Sequence, residues 1–324
     1  MSNLETEPLE RLAAPEPPIH DGIELLAPRD VPLGGPRALS VRRTLPQRER
    51  SLIGAWCFVD HYGPDAVGER GMDVPPHPHT GLQTVSWLFA GEIEHRDSSG
   101  AHAMVRPGEL NLMTAGRGIQ HSEVSTPATT TLQGAQLWTA LPDDDRHVAP
   151  FFESYQPPVF QHNGASVSVF LGSLLGQTSP ATTFSPIVGA QIDLPPNTEI
   201  AVPVDPGFEH GVLVDGGDVT MDDEPVPLHC IGYRPPGSDI LVIASGETAA
   251  RVLLIGGKPL GEQIVMWWNF IGRSHEEVVA YRAAWQSDVI DGTNDAGRFG
   301  SVSGYPGDPL PAPILPNVRM RPRG

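Results

Sequence analysis

Short runs of β-branched and aromatic residues, broken by glycine and proline at turn-like intervals, dominate the chain and predict strands. Extended material begins at Ile23. Between Leu39 and Asp60 the apolar positions Leu52, Ile53, Ala55, Trp56, Phe58 and Val59 supply core, and Gly63-Pro64-Asp65 reads as a turn. Thr84-Val85-Ser86-Trp87-Leu88-Phe89 forms a further strand, followed by punctuation at Gly91, Gly100, Gly108, Gly116 and Gly118. Leu132 to Trp138 gives another strand ahead of a loop at Leu141 to Asp145. Strands this short and this evenly spaced suggest a small barrel or sandwich. One stretch breaks the pattern. Ser274-His275-Glu276-Glu277 has the form of a capping box, and Val278, Tyr281 and Trp285 follow at i, i+3, i+7, which predicts a helix with one buried face. Beyond Ser287, Gly, Pro and Asp predict an irregular tail, and residues 1 to 20, dense in Glu and Pro, a poorly ordered leader.

From Ala165 to Pro259 a second strand-rich half carries a trace of repetition. Gly81 and Gly91 are answered by Gly207 and Gly217, and Arg106-Pro107-Gly108 by Arg234-Pro235-Pro236-Gly237, which suggests two related barrels. Matching Gly81 to Gly207 sets Pro203 and Asp205 where the first half has His77 and His79. Matching Gly108 to Gly237 sets Ala250 and Val252 where it has His121 and Glu123. On this alignment the second barrel lacks metal-type side chains and is expected to be metal-free and structural.

With 324 residues the chain is long enough for two domains, and its 35 glycines and 35 prolines favour a turn-rich, mainly β protein. The net charge of −18, from 39 acidic against 21 basic residues, argues against a direct grip on a phosphate backbone. Any part in transcription would then run through a protein partner. The two cysteines, Cys57 and Cys230, are too few for a disulfide scaffold and fit a reduced, cytoplasmic setting. Neither a signal peptide nor a transmembrane helix is expected.

The chemistry concentrates between Pro75 and Glu123. His77-Pro78-His79 opens this stretch and His121-Ser122-Glu123 closes it. Residues two apart on a strand share a face, so two such strands side by side would converge four donors on one point. Three neutral imidazoles and a carboxylate suit a divalent first-row ion and leave positions open for substrate or dioxygen. His95 and His102 lie in the same stretch; either could line a pocket or bond to a ligand, though a polar strand-end role is the plainer reading for His102. Trp87, Phe89, Met104, Leu112 and Met113 are candidates for the pocket wall, of which alternation turns about half elsewhere. His95-Arg96-Asp97 lacks the rest of a kinase loop, Gly116-Arg117-Gly118 is a turn rather than a phosphate cradle, and no GxSxG occurs.

His77-Pro78-His79-Thr80-Gly81-Leu82-Gln83-Thr84-Val85, Gly91-Glu92, His95 to Ser98, Arg106-Pro107-Gly108 and Met113 to Glu123 together resemble the signature of pirins, members of the cupin superfamily. Leu82-Gln83 departs from the Phe-Glu of many members without touching a ligand position. Ile264 to Phe270 resembles a C-terminal element of one pirin branch.

The resemblance implies an all-β bicupin, two antiparallel jelly-roll barrels with a short C-terminal helix. The expected division is a leader at 1–20, a metal-binding cupin domain at 21–150, a second cupin domain at 151–262, and at 263–324 a helix and tail that pack back on the first domain. It implies iron, Fe2+ foremost with other divalent first-row metals open, held by His77, His79, His121 and Glu123. It also implies a quercetin 2,3-dioxygenase-like activity in which a small phenolic flavonol and O2 meet at the metal and Glu123 serves as ligand and catalytic base. The competing expectation is an iron-dependent, redox-sensitive regulator that acts on a transcription factor or metabolic enzyme without turnover.

Overall fold

The computed structural model describes residues 22–33, 39–66 and 72–324; the leader expected at 1–20 lies outside them. Two barrels make up the protein, each from one large and one small antiparallel sheet. The large sheet of the first barrel runs in the order Phe151–Tyr155, Leu110–Thr114, Leu82–Ala90, Thr131–Ala140, Trp56–Ala66, Leu39–Leu45 and Arg29–Leu33. Its small sheet is Asp73–His79, Ile119–Ser125, Ile93–Asp97 and His102–Val105. In the second barrel the large sheet runs Glu24–Leu26, Ile231–Arg234, Glu209–Gly216, Ala250–Gly257, Ile187–Leu194, Ala165–Leu174 and Val159–His162, and the small one Glu199–Pro203, Ile240–Ser245, Val219–Met221 and Glu224–Val226.

Strand for strand the two orders correspond, and the correspondence corrects one register. The strand in the place of Ile119–Ser125 is Ile240–Ser245, whereas Ala250 and Val252 lie on the counterpart of Thr131–Ala140. The glycine match slipped by a strand because Gly108 precedes strand Leu110–Thr114 whereas Gly237 follows its counterpart, Ile231–Arg234. In the small sheet of the second barrel the buried positions are Ile200, Val202, Leu241, Ile243, Val219, Met221 and Val226, all apolar, together with Ser245. The expected turn at Gly63-Pro64-Asp65 is also corrected. Strand Trp56–Ala66 runs through it, and the register against Thr131–Ala140 shifts between Leu132 and Gly134. Gly63 has φ 78°, and a Cβ there would stand 2.1 Å from the Leu132 carbonyl oxygen, so its glycine permits close strand approach, not chain reversal.

Between the barrels lies a common apolar core. Trp56, Val85, Trp87, Leu112 and Leu137 of the first barrel pack with Phe170, Leu171, Leu213, Leu253 and Ile255 of the second. Two indoles fix the contact: Trp56 Nε1 donates to the Val188 and Gly256 carbonyls at 3.2 and 3.1 Å, and Trp87 Nε1 to Gln191 Oε1 at 2.8 Å. His61 faces Asp215 across the same boundary at 2.7 Å, beside Gln133.

The helix spans His275–Trp285, and its buried residues are Val278, Tyr281 and Trp285, the three the spacing selects. The Ser274 hydroxyl accepts the Glu277 N–H at 3.2 Å, while the Glu277 carboxylate reaches past the cap to accept the Arg273 N–H at 2.8 Å. This apolar face packs on a hairpin of Val265–Trp267 and Phe270–Gly272. The hairpin in turn seats against the first barrel just after His79, where the Ile271 N–H donates to the Thr80 carbonyl at 3.0 Å. The tail then crosses the small sheet: the Leu310 N–H donates to the Pro76 carbonyl at 2.8 Å, the Tyr305 hydroxyl to Asp73 at 2.7 Å, and the Gln120 side chain to the Gly300 carbonyl.

Candidate metal centre

Cross-strand register assembles the site. On strand Ile119–Ser125, His121 pairs with His77 on one side and Asp97 on the other, Glu123 pairs with His95, and Ile119 with His79. Directly paired residues project to the same face of a sheet, so His77, His79, His95, Asp97, His121 and Glu123 share one face. The intervening residues Pro76, Gln120 and Arg96 point the other way, where the tail lies. A register shift between His121 and Glu123 against strand Asp73–His79 sets Glu123 opposite Val74 and towards His95.

The donor atoms of His77, His79 and His121 lie within 4.8 Å of one another, and so do those of His95, His121 and Glu123. The four expected residues are therefore brought to one face but fall into two triads that share His121. His95 is the addition. Its signal in the sequence was the pair His95-x-Asp97, a third i, i+2 arrangement inside the same stretch. His102 stands half exposed and pairs with Glu94 at 2.6 Å, away from the centre.

Burial sets the protonation of the rings. His77 is pushed down to about 3, chiefly because burial penalises the imidazolium. His79 and His121 are held well below the ordinary imidazole value by burial first and by the neighbouring His77 next. Burial alone would raise the Glu123 carboxyl, but the electrostatic surroundings outweigh it and the net direction is down. Neutral imidazoles beside an ionised carboxylate are the forms that ligate a cation.

Hydrogen bonds orient these rings. His77 Nδ1 donates to the Pro75 carbonyl at 2.8 Å, which leaves Nε2 as the acceptor; that nitrogen is buried with no hydrogen-bond partner among the described residues. His95 Nε2 donates to Asp97 Oδ2 at 2.9 Å, and Asp97 Oδ1 is held by the Ser99 amide and hydroxyl at 2.8 and 2.6 Å. The bare Nδ1 of His95 then accepts from His121 Nδ1 at 3.4 Å, and His121 Nε2 is left as a lone pair 3.1 Å from His79 Nε2. An orphaned buried nitrogen and two ring nitrogens facing each other fit a shared cation. Unsatisfied acceptors inside a protein are otherwise costly.

Aromatic walls enclose the cluster. Trp138 stands edge-on to His79 at 5.0 Å and stacks on Phe58 at 3.9 Å, while Phe152 stacks on His95 at 4.6 Å. Neither Trp138 nor Phe152 was marked by the sequence as a wall. Of the residues that were, Trp87, Phe89 and Leu112 face the core between the barrels, because the alternation of their strands turns them outward. Met113 packs with Ile119 and Trp138 near the cluster.

Residues 38–139 match the pirin family model and residues 189–291 the model of the pirin C-terminal cupin domain. This chain belongs to the pirin family. The pirin is 39% identical over 296 residues to a Pseudomonas aeruginosa protein provisionally named quercetin 2,3-dioxygenase, with 91% of each chain covered. A pirin-like protein of Caulobacter vibrioides is 32% identical, over 76% of this chain and 88% of the relative. Among solved structures, a quercetin 2,3-dioxygenase from Acinetobacter baumannii superposes with a TM-score of 0.85 at 36% identity, covering 93% of the pirin and 98% of that chain. No helix among the described residues is long and apolar enough to cross a membrane.

Proposed function

We propose that this pirin is a cytoplasmic, metal-dependent dioxygenase that opens the ring of a flavonol such as quercetin, with Fe2+ as the ion held by His77, His79, His121 and Glu123. The observation that carries the reading is the buried donor cluster, two triads within 4.8 Å that share His121. The names borne by the Pseudomonas aeruginosa and Acinetobacter baumannii relatives support the substrate class.

A bound divalent ion supplies a Lewis-acidic, redox-capable centre with positions open to oxygen donors. The protein supplies the rest. The chain Asp97, His95, His121 holds His121 in the tautomer whose Nε2 is bare, and the Pro75 carbonyl does the same for His77. Glu123, kept ionised, accepts the proton of the flavonol hydroxyl as that oxygen enters the site. Trp138 and Phe152 wall the cluster with apolar rings, which exclude water.

Oxygen uptake with quercetin by iron-loaded protein tests the reading. Dioxygen and flavonol should disappear together, and Glu123→Gln should slow turnover by about 10²–10⁴-fold, the usual worth of a positioned base. A protein that holds stoichiometric iron yet consumes no oxygen would remove the flavonol reading and leave regulation through a partner.

A further inference from the structure

The second barrel has its own cavity, and it lies away from the metal-type cluster. About 520 Å³ in volume, it opens between Gly172–Gly176, Thr183–Val188 and Pro203–His210. Leu174, Ile187, Val188 and Phe208 supply its apolar part, Ser173, Thr183 and Asp205 its polar part, and the volume falls in the range of small-molecule sites. Pro203 and Asp205 lie on its edge.

One residue in this cavity is not explained by packing. His210 lines it, is 1% exposed, and has no hydrogen-bond partner at either ring nitrogen among the described residues. A buried imidazole left without partners keeps an uncompensated desolvation cost, so its retention asks for a ligand. Burial first, and then the neighbouring Arg234, push it down to about 4, with Asp205 and Asp222 opposing. The ring is therefore neutral near pH 7 and offers one donor and one acceptor. The Phe208 ring lies 6.3 Å from it and offers an aromatic face. Asp205, at the edge, disfavours an anion, as does the chain's net charge of −18.

From these observations we infer that the second barrel binds an uncharged aromatic molecule bearing a hydroxyl group, its ring against Phe208 and Ile187 and its hydroxyl bonded to His210. The site is independent of metal. Its occupant is flat because Phe208 offers a ring face, uncharged because the edge is acidic while the neighbouring Arg234 is already paired with Asp222, and hydroxylated because His210 requires a partner that both gives and takes a hydrogen bond.

The test uses 2-naphthol as probe, titrated into full-length metal-free protein by calorimetry, with naphthalene and 2-naphthoate alongside. 2-Naphthol should saturate one site, and naphthalene and 2-naphthoate should bind at least about tenfold more weakly, since a lost buried hydrogen bond costs about 1–3 kcal/mol. His210→Phe should weaken 2-naphthol by a similar factor, and His79→Ala should leave it unchanged. In the unsubstituted protein, the His210 imidazole nitrogen resonances should shift on titration, a readout that survives if His210→Phe does not fold. Binding abolished by His79→Ala, unchanged in a folded His210→Phe, or unaccompanied by a shift at His210 would overturn the inference, as would the absence of saturable binding. Loss of oxygen uptake with quercetin bears on none of these readouts.

Discussion

Buried imidazoles set the chemistry of this molecule at the scale of single residues. Outside the metal-type cluster, His210 and His229 are both pushed down to about 4 from an ordinary 6.5, in each case by burial first. Arg234 adds to the effect at His210 against Asp205 and Asp222, and Arg42 and His61 add to it at His229 against Asp215. Between these values the unfolded chain binds a proton that the folded chain refuses. Stability is thus fully present above pH 6.5 and is lost as pH falls towards 4, on the order of 3 kcal/mol for His210 alone. Thermal unfolding followed across this window should show a falling midpoint that is shallower in His210→Phe; parallel curves for the two proteins would contradict the assignment. That His77, His79, His121 and Glu123 share one face was legible because strand alternation makes an i, i+2 pair a geometric statement. Trp138 and Phe152 were not, because which aromatic faces a site depends on the pairing of strands distant in sequence.

At the scale of elements, the C-terminal hairpin holds the end of the ligand strand Asp73–His79. Gly81 has φ 68°, and a Cβ there would meet the Ile271 carbonyl oxygen at 2.5 Å, the atom of the hairpin that packs behind Thr80. Gly81→Ala must either strain this backbone or push the hairpin away, at about 1–3 kcal/mol, and in both cases His79 moves. Urea unfolding should register that loss, and metal content should fall while 2-naphthol binding in the second barrel persists; equal stability and full metal content would show that the hairpin does not position the ligand. The helix was legible because capping and a 3.6-residue period are local. The slip at Ala250 and Val252 was not avoidable from glycine spacing, since similar Arg-Pro and glycine turns stand before a strand in the first barrel and after its counterpart in the second. The Gly63-Pro64 stretch misled for a related reason: close strand approach and turns ask for the same residues.

For the whole molecule, the two barrels are joined by a shared core, while the second barrel also closes one of its own. Trp56 and Trp87 reach across to backbone and side-chain acceptors of the second barrel, which leaves the small sheet of the first free to carry the polar cluster on its inner face. A mainly β chain of two related barrels was legible from composition, strand rhythm and the repeat between the halves, and the resemblance to pirins implied the bicupin. The shared core was not, because an apolar strand reads the same whichever sheet it meets. All of this serves the cluster around His121, which belongs to both triads. The most direct measurement is therefore the metal-to-protein ratio after anaerobic loading with Fe2+ and desalting, for the unsubstituted pirin, His121→Ala, His79→Ala and His95→Ala. The arrangement predicts about one ion per chain in the first, the deepest loss in His121→Ala, a clear loss in His79→Ala, and in His95→Ala a roughly 10–100-fold weakening typical of a residue that orients a ligand. An unsubstituted protein that retains no ion, or a His121→Ala variant that retains it fully, would contradict the account.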